Sequence, residues 1–323
     1  MRILERLERI YAIGDRRGYS AQEDQAHALA TDWMREAGLD VAVDDAGNLI
    51  GRRGGAHVWT GSHLDSVPNG GKYDGALGVL AGIEAAERLA DAELGVVAFR
   101  AEETGPMGSK KLTHFPDAFI ELHIEQGPVL ERAREPLGVV TAIAGQARGA
   151  VSFEGRADHA GTTPMEGRDD ALVQAARFVL HVNECARGGA VATVGAITVE
   201  PNAVNVVPAR VTVSVDARAP SAEQLDELVA AIGFEPGSLL EPVTMSGPPF
   251  EMLSMLLPAA PRLVSGAGHD AMVLAAAGVP TGMLFVRSLN GGASHSPNEL
   301  TSDEDIALAV DVLTSALERL SAR

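Results

Sequence analysis

Cysteine is nearly missing from this chain. One residue, Cys185, among 323 leaves no internal disulfide and suits a reducing compartment, so a cytoplasmic location is expected. No run of about 18 apolar residues is present, so no membrane span is expected. The N-terminal stretch MRILERLERIYAIGD is charged throughout and has no secretory apolar region. Lysine occurs only at 72, 110 and 111, so the basic residues are mostly arginine. Positive charge is in deficit overall, with a formal net charge of −18. Such a surface repels phosphate backbones and anionic lipid, which argues against nucleic acid and membranes as partners. There is no internal repeat and no low-complexity tract. What remains is ordinary globular material, 46% hydrophobic and 22% charged, in a length that suggests about two domains.

The pattern along the chain is α/β. SAQE at 20–23 reads as a capping box, Ser20 with Glu23, opening a helix to about Ala37 that Gly38 terminates. VAVDDAGNLIGRR reads as a hairpin turning at DAGN. HVWTGSH, LGVVAFRAEE and DAFIELHIEQG read as strands that end at a histidine, two glutamates and a histidine, with a helix of small and apolar residues after the first. Strands alternating with helices imply a layered α/β domain with its site at the carboxyl ends of the strands. From about Gly138 the texture becomes that of a smaller α+β domain, with helices near 166–187 and 221–232. The α/β pattern returns with SGAGHDAMVLAAAG, and the capped helix SDEDIALAVDVLTSALERL closes it. The expected organisation is a discontinuous domain, 1–137 with 247–323, and an inserted domain, 138–246.

Five residues at strand ends or in glycine-rich loops carry the chemistry: His63, Asp74, Glu103, His123 and His295. Imidazole and carboxylate are the donors expected for zinc or a similar divalent ion. Five such groups are too many for one tetrahedral ion and suit two ions sharing a carboxylate, for which Asp74 is the natural bridge. Glu102 and Glu103 are expected to alternate along an extended chain, so that one ligates and the other is left to act as a base. Asp65, two residues beyond His63, is placed to accept the second ring N–H of that imidazole. Glycines 70, 71 and 75 allow the loop GSHLDSVPNGGKYDG to wrap tightly around such a site.

The blocks TGSHLDSVPNGGKYDGALGVLAG, AEETG, ELHIEQGPVLE, GRADHAGTTPMEGRDDA, PNAVNVVPARVTVSVDAR, SGAGHDAM and GGASHSPNE occur in that order. Together they resemble the amidase/hydantoinase/carbamoylase branch of the co-catalytic zinc peptidases, which includes N-carbamoyl-L-amino acid and allantoate amidohydrolases. The resemblance runs from about residue 20 to 310. It implies a mixed-sheet catalytic domain with an inserted α+β lid that also forms a homodimer. It implies two divalent ions per subunit, zinc first, with manganese or cobalt as alternatives. His63 and His123 would hold one ion and Glu103 and His295 the other, bridged by Asp74. Glu102 would be the general base that activates a metal-bridging water, and Asp65 the partner of His63. His159 would stabilise the oxyanion in the partner subunit's site. Gln126, Asn205 and Arg218 would contact a small carboxylate-bearing substrate. Residue by residue, blander roles compete: His159 could cap a loop, and Arg218 could pair with Asp216.

The chain departs from the family by being short. EETGPMGSKKL is compressed, and the stretch between LDELVAAIGFEPG and SGAGHDAM is too brief for the usual elements. The expected activity is hydrolysis of a linear amide or ureido C–N bond in an N-carbamoyl-L-amino acid or allantoate-like substrate. The alternative is a dipeptidase, aminoacylase or deacylase with the same two-ion site. A catalytically dead binding protein would have lost a ligand or the base, and none is missing.

Overall fold

Leu94–Phe99, Val58–His63, Ala118–Ile124 and Thr281–Val286 lie side by side in that order, each parallel to its neighbour, in the computed structural model, which describes residues 2–322. Every residue of these four strands is buried. Both faces are covered, which is why they read as near-continuous apolar runs rather than as alternating ones. The sheet becomes antiparallel at its margins. Leu49–Arg52 pairs antiparallel with Leu94–Phe99 and forms the expected hairpin with Asp40–Val43. On the far side Leu137–Ile143 runs antiparallel to Thr281–Val286 and parallel to Arg262–Ser265. The sheet is therefore mixed, within an α/β architecture.

The helices Arg2–Tyr11, Ala76–Arg88, Gly247–Leu256 and Asp303–Ser321 share one apolar core with these strands, through residues such as Leu7, Leu77, Leu253 and Leu313. The helix Ala21–Glu36 begins at Ser20, whose side chain accepts from Glu23 N, and it ends before Gly38 at φ +77. Gly38 N donates to Arg35 O and Leu39 N to Met34 O, a Schellman ending. The capping box is only half formed. The buried Glu23 carboxylate turns away from Ser20 and accepts Tyr19 N and Ala101 N instead. No helix among the described residues is long and apolar enough to cross a membrane.

The chain forms two compact units, residues 144–243 and the sequence on either side of them. The borders differ from 137/138 and 246/247 because residues 138–143 continue a strand of the larger sheet, while Met245 N and Ser246 N donate to Thr141 O and Thr281 O. The strand-like texture thus starts one strand before the unit does. Within 144–243, Gly145–Glu154 and Arg210–Ala219 pair antiparallel over their full lengths, flanked by Ser238–Leu240, Val191–Thr193 and Ile197–Glu200. Residues of Arg210–Ala219 alternate between buried and less buried. The buried face packs on the helices Ala171–Cys185 and Ala222–Ile232 through Val182, Val215, Leu225 and Leu228.

Candidate metal centre

Because the four central strands are parallel, their carboxyl ends share one rim, and the segments leaving that rim carry the candidate residues. His63 ends its strand, and His123 lies one residue before the end of its own. Glu102 and Glu103 follow Phe99, His295 lies in the loop after Val286, and Asp74 precedes the helix Ala76–Arg88.

Asp74 stands between two groups of side chains. Its Oδ1 is 3.1 Å from His123 Nε2 and 3.5 Å from His63 Nε2. Its Oδ2 is 3.2 Å from His295 Nε2, and that nitrogen is 3.4 Å from Glu103 Oε2. Ligand atoms of His63, Asp74 and His123 all lie within 4.8 Å of one another, and so do those of Asp74, Glu103 and His295. The carboxylate therefore turns one oxygen toward His63 and His123 and the other toward His295 and its neighbour Glu103.

The rings are held from behind. His63 Nδ1 is 3.3 Å from Asp65 Oδ1 and 3.2 Å from Asp65 O, and His123 Nδ1 is 2.9 Å from Ile124 O. An Nδ1–H donated to oxygen leaves Nε2 as the lone-pair nitrogen, and in both rings that is the atom facing Asp74. Asp65 has a second task, since its two oxygens accept Glu102 N at 3.0 Å and Glu103 N at 3.1 Å. Gly75, at φ +63, cannot be replaced cheaply: a β-carbon there would meet the His63 ring at 2.4 Å.

Glu102 and Glu103 do diverge, but not by strand alternation. The strand stops at Phe99, Ala101 takes a left-handed φ of 52°, and Gly105 N closes a turn on Glu102 O. From that turn Glu102 Oε2 comes to 3.8 Å from His63 Nε2 while Glu103 faces His295. The turn is built by Asp65 and Glu23, whose carboxylates accept three consecutive backbone N–H groups from Ala101 to Glu103.

The electrostatics are those of a site with more acid than fixed cation. Asp65, Asp74, Glu102, Glu121, Asp270 and Glu299 are all buried. Burial lowers the basicity of His63 and His123, yet contacts with Asp65 and Asp74 around the first, and with Asp74 around the second, outweigh it and raise both. The bond to Asp74 lifts His295 to about 9. Asp74 is held well below the usual carboxylate range: burial opposes this, but the three imidazoles prevail. Glu102 moves well above it, through burial and then through its acidic neighbours Asp270 and Glu103, against the pull of His63. Such a cluster draws positive charge, and imidazole nitrogen with carboxylate oxygen is a donor set that fits zinc, manganese or cobalt.

The remaining expected residues fall in two places. Gln126, at φ 56°, donates from Nε2 to Asp74 Oδ2 at 2.8 Å, so it touches the centre. His159, Asn205 and Arg218 lie in the 144–243 unit. His159 Nδ1 accepts Gly161 N and Thr162 N, at 3.1 and 3.2 Å, and Asn205 O accepts Ala160 N. Arg218 Nε and Nη2 donate to the two oxygens of Asp216 at 2.9 and 3.1 Å. The loop-capping and Asp216-pairing contacts are thus both present.

Several residues at the centre escape sequence reading. Arg16 is 1% exposed, donates from Nε to Leu64 O at 2.8 Å, and places a buried guanidinium near Asp65 and Asp74. Glu299 accepts Tyr73 N and Asp74 N. Glu121, His123 and His269 form a further buried group, but Glu121 already accepts Ser62 Oγ and Ala271 N, and His269 Nε2 meets Ser265 Oγ. Its His269 ring stands 4.5 Å from that of His123, edge to face.

Residues 59–319 match the family model of peptidase family M20/M25/M40. The chain belongs to that family. Within it, the chain is 36% identical to an N-carbamoyl-L-amino acid amidohydrolase of Geobacillus stearothermophilus, over 95% of this chain and 93% of the relative. It is 35% identical to an allantoate amidohydrolase of Bacillus subtilis (strain 168), over 89% and 88%. An amidase of the hydantoinase/carbamoylase family from Burkholderia multivorans superposes with a TM-score of 0.90 at 31% identity, covering 100% of this chain and 98% of that one. The first alignment extends over 382 positions, more than the 323 residues present, so that relative carries segments this family member lacks. The chain is accordingly a metal-dependent amidohydrolase.

Proposed function

We propose that this enzyme hydrolyses a linear C–N bond in a small carboxylate-bearing substrate, an N-carbamoyl-L-amino acid or an allantoate-like ureido acid. The observation that carries this reading is the position of Asp74, with Oδ1 toward His63 and His123 and Oδ2 toward His295 and Glu103. His63, His123 and Asp74 would hold one divalent ion, and Asp74, Glu103 and His295 a second, zinc first and manganese or cobalt otherwise. When bound, such ions lower the pKa of water and polarise a carbonyl.

The chain's own groups do the rest. Glu102 is buried beside the His63–Asp74 pair, and its raised proton affinity suits a base that takes a proton from water and returns it to the leaving nitrogen. Gln126 stands at the edge of Asp74, where it can meet substrate. His159 has its Nδ1 occupied as an acceptor, so its Nε2 carries the proton and can donate to an oxyanion. Asn205 and Arg218 are assigned to the substrate carboxylate, for which a planar guanidinium is well matched. Arg218 then exchanges or shares its bond to Asp216. His159 serves the site of a second subunit in a homodimer joined through the lid.

The test is a panel of N-carbamoyl, N-formyl, N-acetyl and ureido acids, with dipeptides, assayed before and after chelation. Turnover of carbamoyl or ureido acids that is lost in chelator and restored by Zn²⁺, Mn²⁺ or Co²⁺ is expected. Activity on dipeptides alone would replace this reading with the peptidase one, and activity indifferent to chelator would refute the metal mechanism.

A further inference from the structure

We propose that Glu299 is a positioning residue that ties the Asp74 loop to the His295 loop and sets the bridging carboxylate between its two ligand sets. Glu299 is 6% exposed. Its Oε1 accepts Tyr73 N at 2.7 Å and Asp74 N at 3.0 Å, across more than 220 residues of sequence. Its Oε2 accepts Ser294 Oγ at 3.2 Å, in the residue before His295.

The same hydroxyl lies 3.4 Å from Asp74 Oδ2 and 3.2 Å from Gln126 Nε2, and Gln126 Nε2 is 2.8 Å from Asp74 Oδ2. A serine has one proton to donate and can accept from the amide, so Glu299, Ser294, Gln126 and Asp74 form one connected network. The chain also makes room for the carboxylate. At Gly71 a β-carbon would fall 2.1 Å from Glu299 Cδ, so that position tolerates only glycine while Glu299 stays in place. Both oxygens of Glu299 are committed to these donors, and Glu299 belongs to none of the ligand groups among the described residues. Its work is therefore done through Asp74 and His295.

The inference rests on the two-ion reading, and the test keeps the two separable. Chelated protein is titrated with Zn²⁺ alone by calorimetry, and amide exchange is followed at Tyr73 and Asp74 in the metal-free state. In Glu299→Ala the affinity for at least one ion falls ~10–100-fold, the scale seen when groups supporting metal ligands are removed, and exchange at both amides speeds up. Glu299→Gln keeps an oxygen for the two N–H groups and an amide that Ser294 can accept, so it recovers most of the affinity and of the protection.

Gly71→Ala, with Glu299 intact, displaces the carboxylate and resembles Glu299→Ala. The double variant is no weaker than either single one, because both disrupt the same network. Unchanged affinity and unchanged exchange in Glu299→Ala overturn the proposal. So does a Glu299→Gln variant as weak as Glu299→Ala, which would mark the charge itself as the ligand. Wild-type protein that takes up no ion would sink the two-ion reading instead, and the exchange rates would still decide the clamp.

Discussion

The two halves of the centre share Asp74 but are built differently. His63 and His123 are 2% and 1% exposed, they stand on strands of the central sheet, and each ring is fixed through its Nδ1. The His295 side chain is 50% exposed, its residue has a left-handed φ of 53°, and Glu103 beside it rides on a turn. The inner half is preorganised by the same packing that holds the sheet. The outer half is carried by loops, which open at lower free-energy cost than core strands. One carboxylate thus joins a rigid ligand set to a yielding one.

The largest effect should come from the two adjacent glutamates, one on each half. Glu102→Gln is expected to lower kcat ~10²–10⁴-fold, the range for a lost general base, with both ions still bound. Glu103→Gln should instead release the outer ion. Metal content measured beside kcat decides this, and an ion lost from Glu102→Gln would reverse the two roles.

Next comes the order in which ions leave. A limiting chelator should remove one ion well before the other, and His295→Ala should retain one ion where wild type holds two. His63→Ala, which takes from Asp65 its buried ring partner and from Asp74 one of two, should also lower thermal stability. Simultaneous loss of both ions from wild type and from His295→Ala alike would erase the distinction between the halves.

The central strands, the candidate metal-binding side chains and the acidic pair stood out because each sits where apolar runs end in polar or glycine-rich sequence. The reason for the divergence of Glu102 and Glu103 did not. It lies in backbone N–H groups captured by Asp65 and Glu23, and local sequence says nothing about which distant carboxylate will take them. Arg16 was hidden for a similar cause: an arginine in a loop reads as a solvated charge, and only the fold brings Leu64 O, Ile10 O and Gly14 O around it. Glu299 left one faint trace, the glycine pair 70–71 before Tyr73, which reads as loop flexibility until the carboxylate filling the space is seen. In the 144–243 unit the competing roles of His159 and Arg218 stayed open because both contacts are local, His159 with Gly161 and Thr162 and Arg218 with Asp216.

A buried histidine outside the centre sharpens the comparison at the smallest scale. His27 is 7% exposed, nearly as buried as His63, but its Nε2 is 3.9 Å from the nearest oxygen of Glu23, whose carboxylate is spent on Tyr19 and Ala101. Burial, with the Arg100 guanidinium adding to it, pulls His27 down to about 3, whereas Asp65 and Asp74 push His63 the other way. The folded state thus binds fewer protons at His27 than the unfolded chain does between pH 6.5 and 3. The stability this contributes is complete above pH 6.5 and drains away as pH falls toward 3. At pH 5 the loss is about 2 kcal/mol relative to pH 8. His27→Leu should remove that part of the acid slope. Urea midpoints followed by the fluorescence of Trp33 and Trp59, compared between wild type and variant at pH 8 and pH 5, give the difference directly. Parallel slopes would mean that His27 is protonated in the folded protein and that burial alone does not set the charge of an imidazole here.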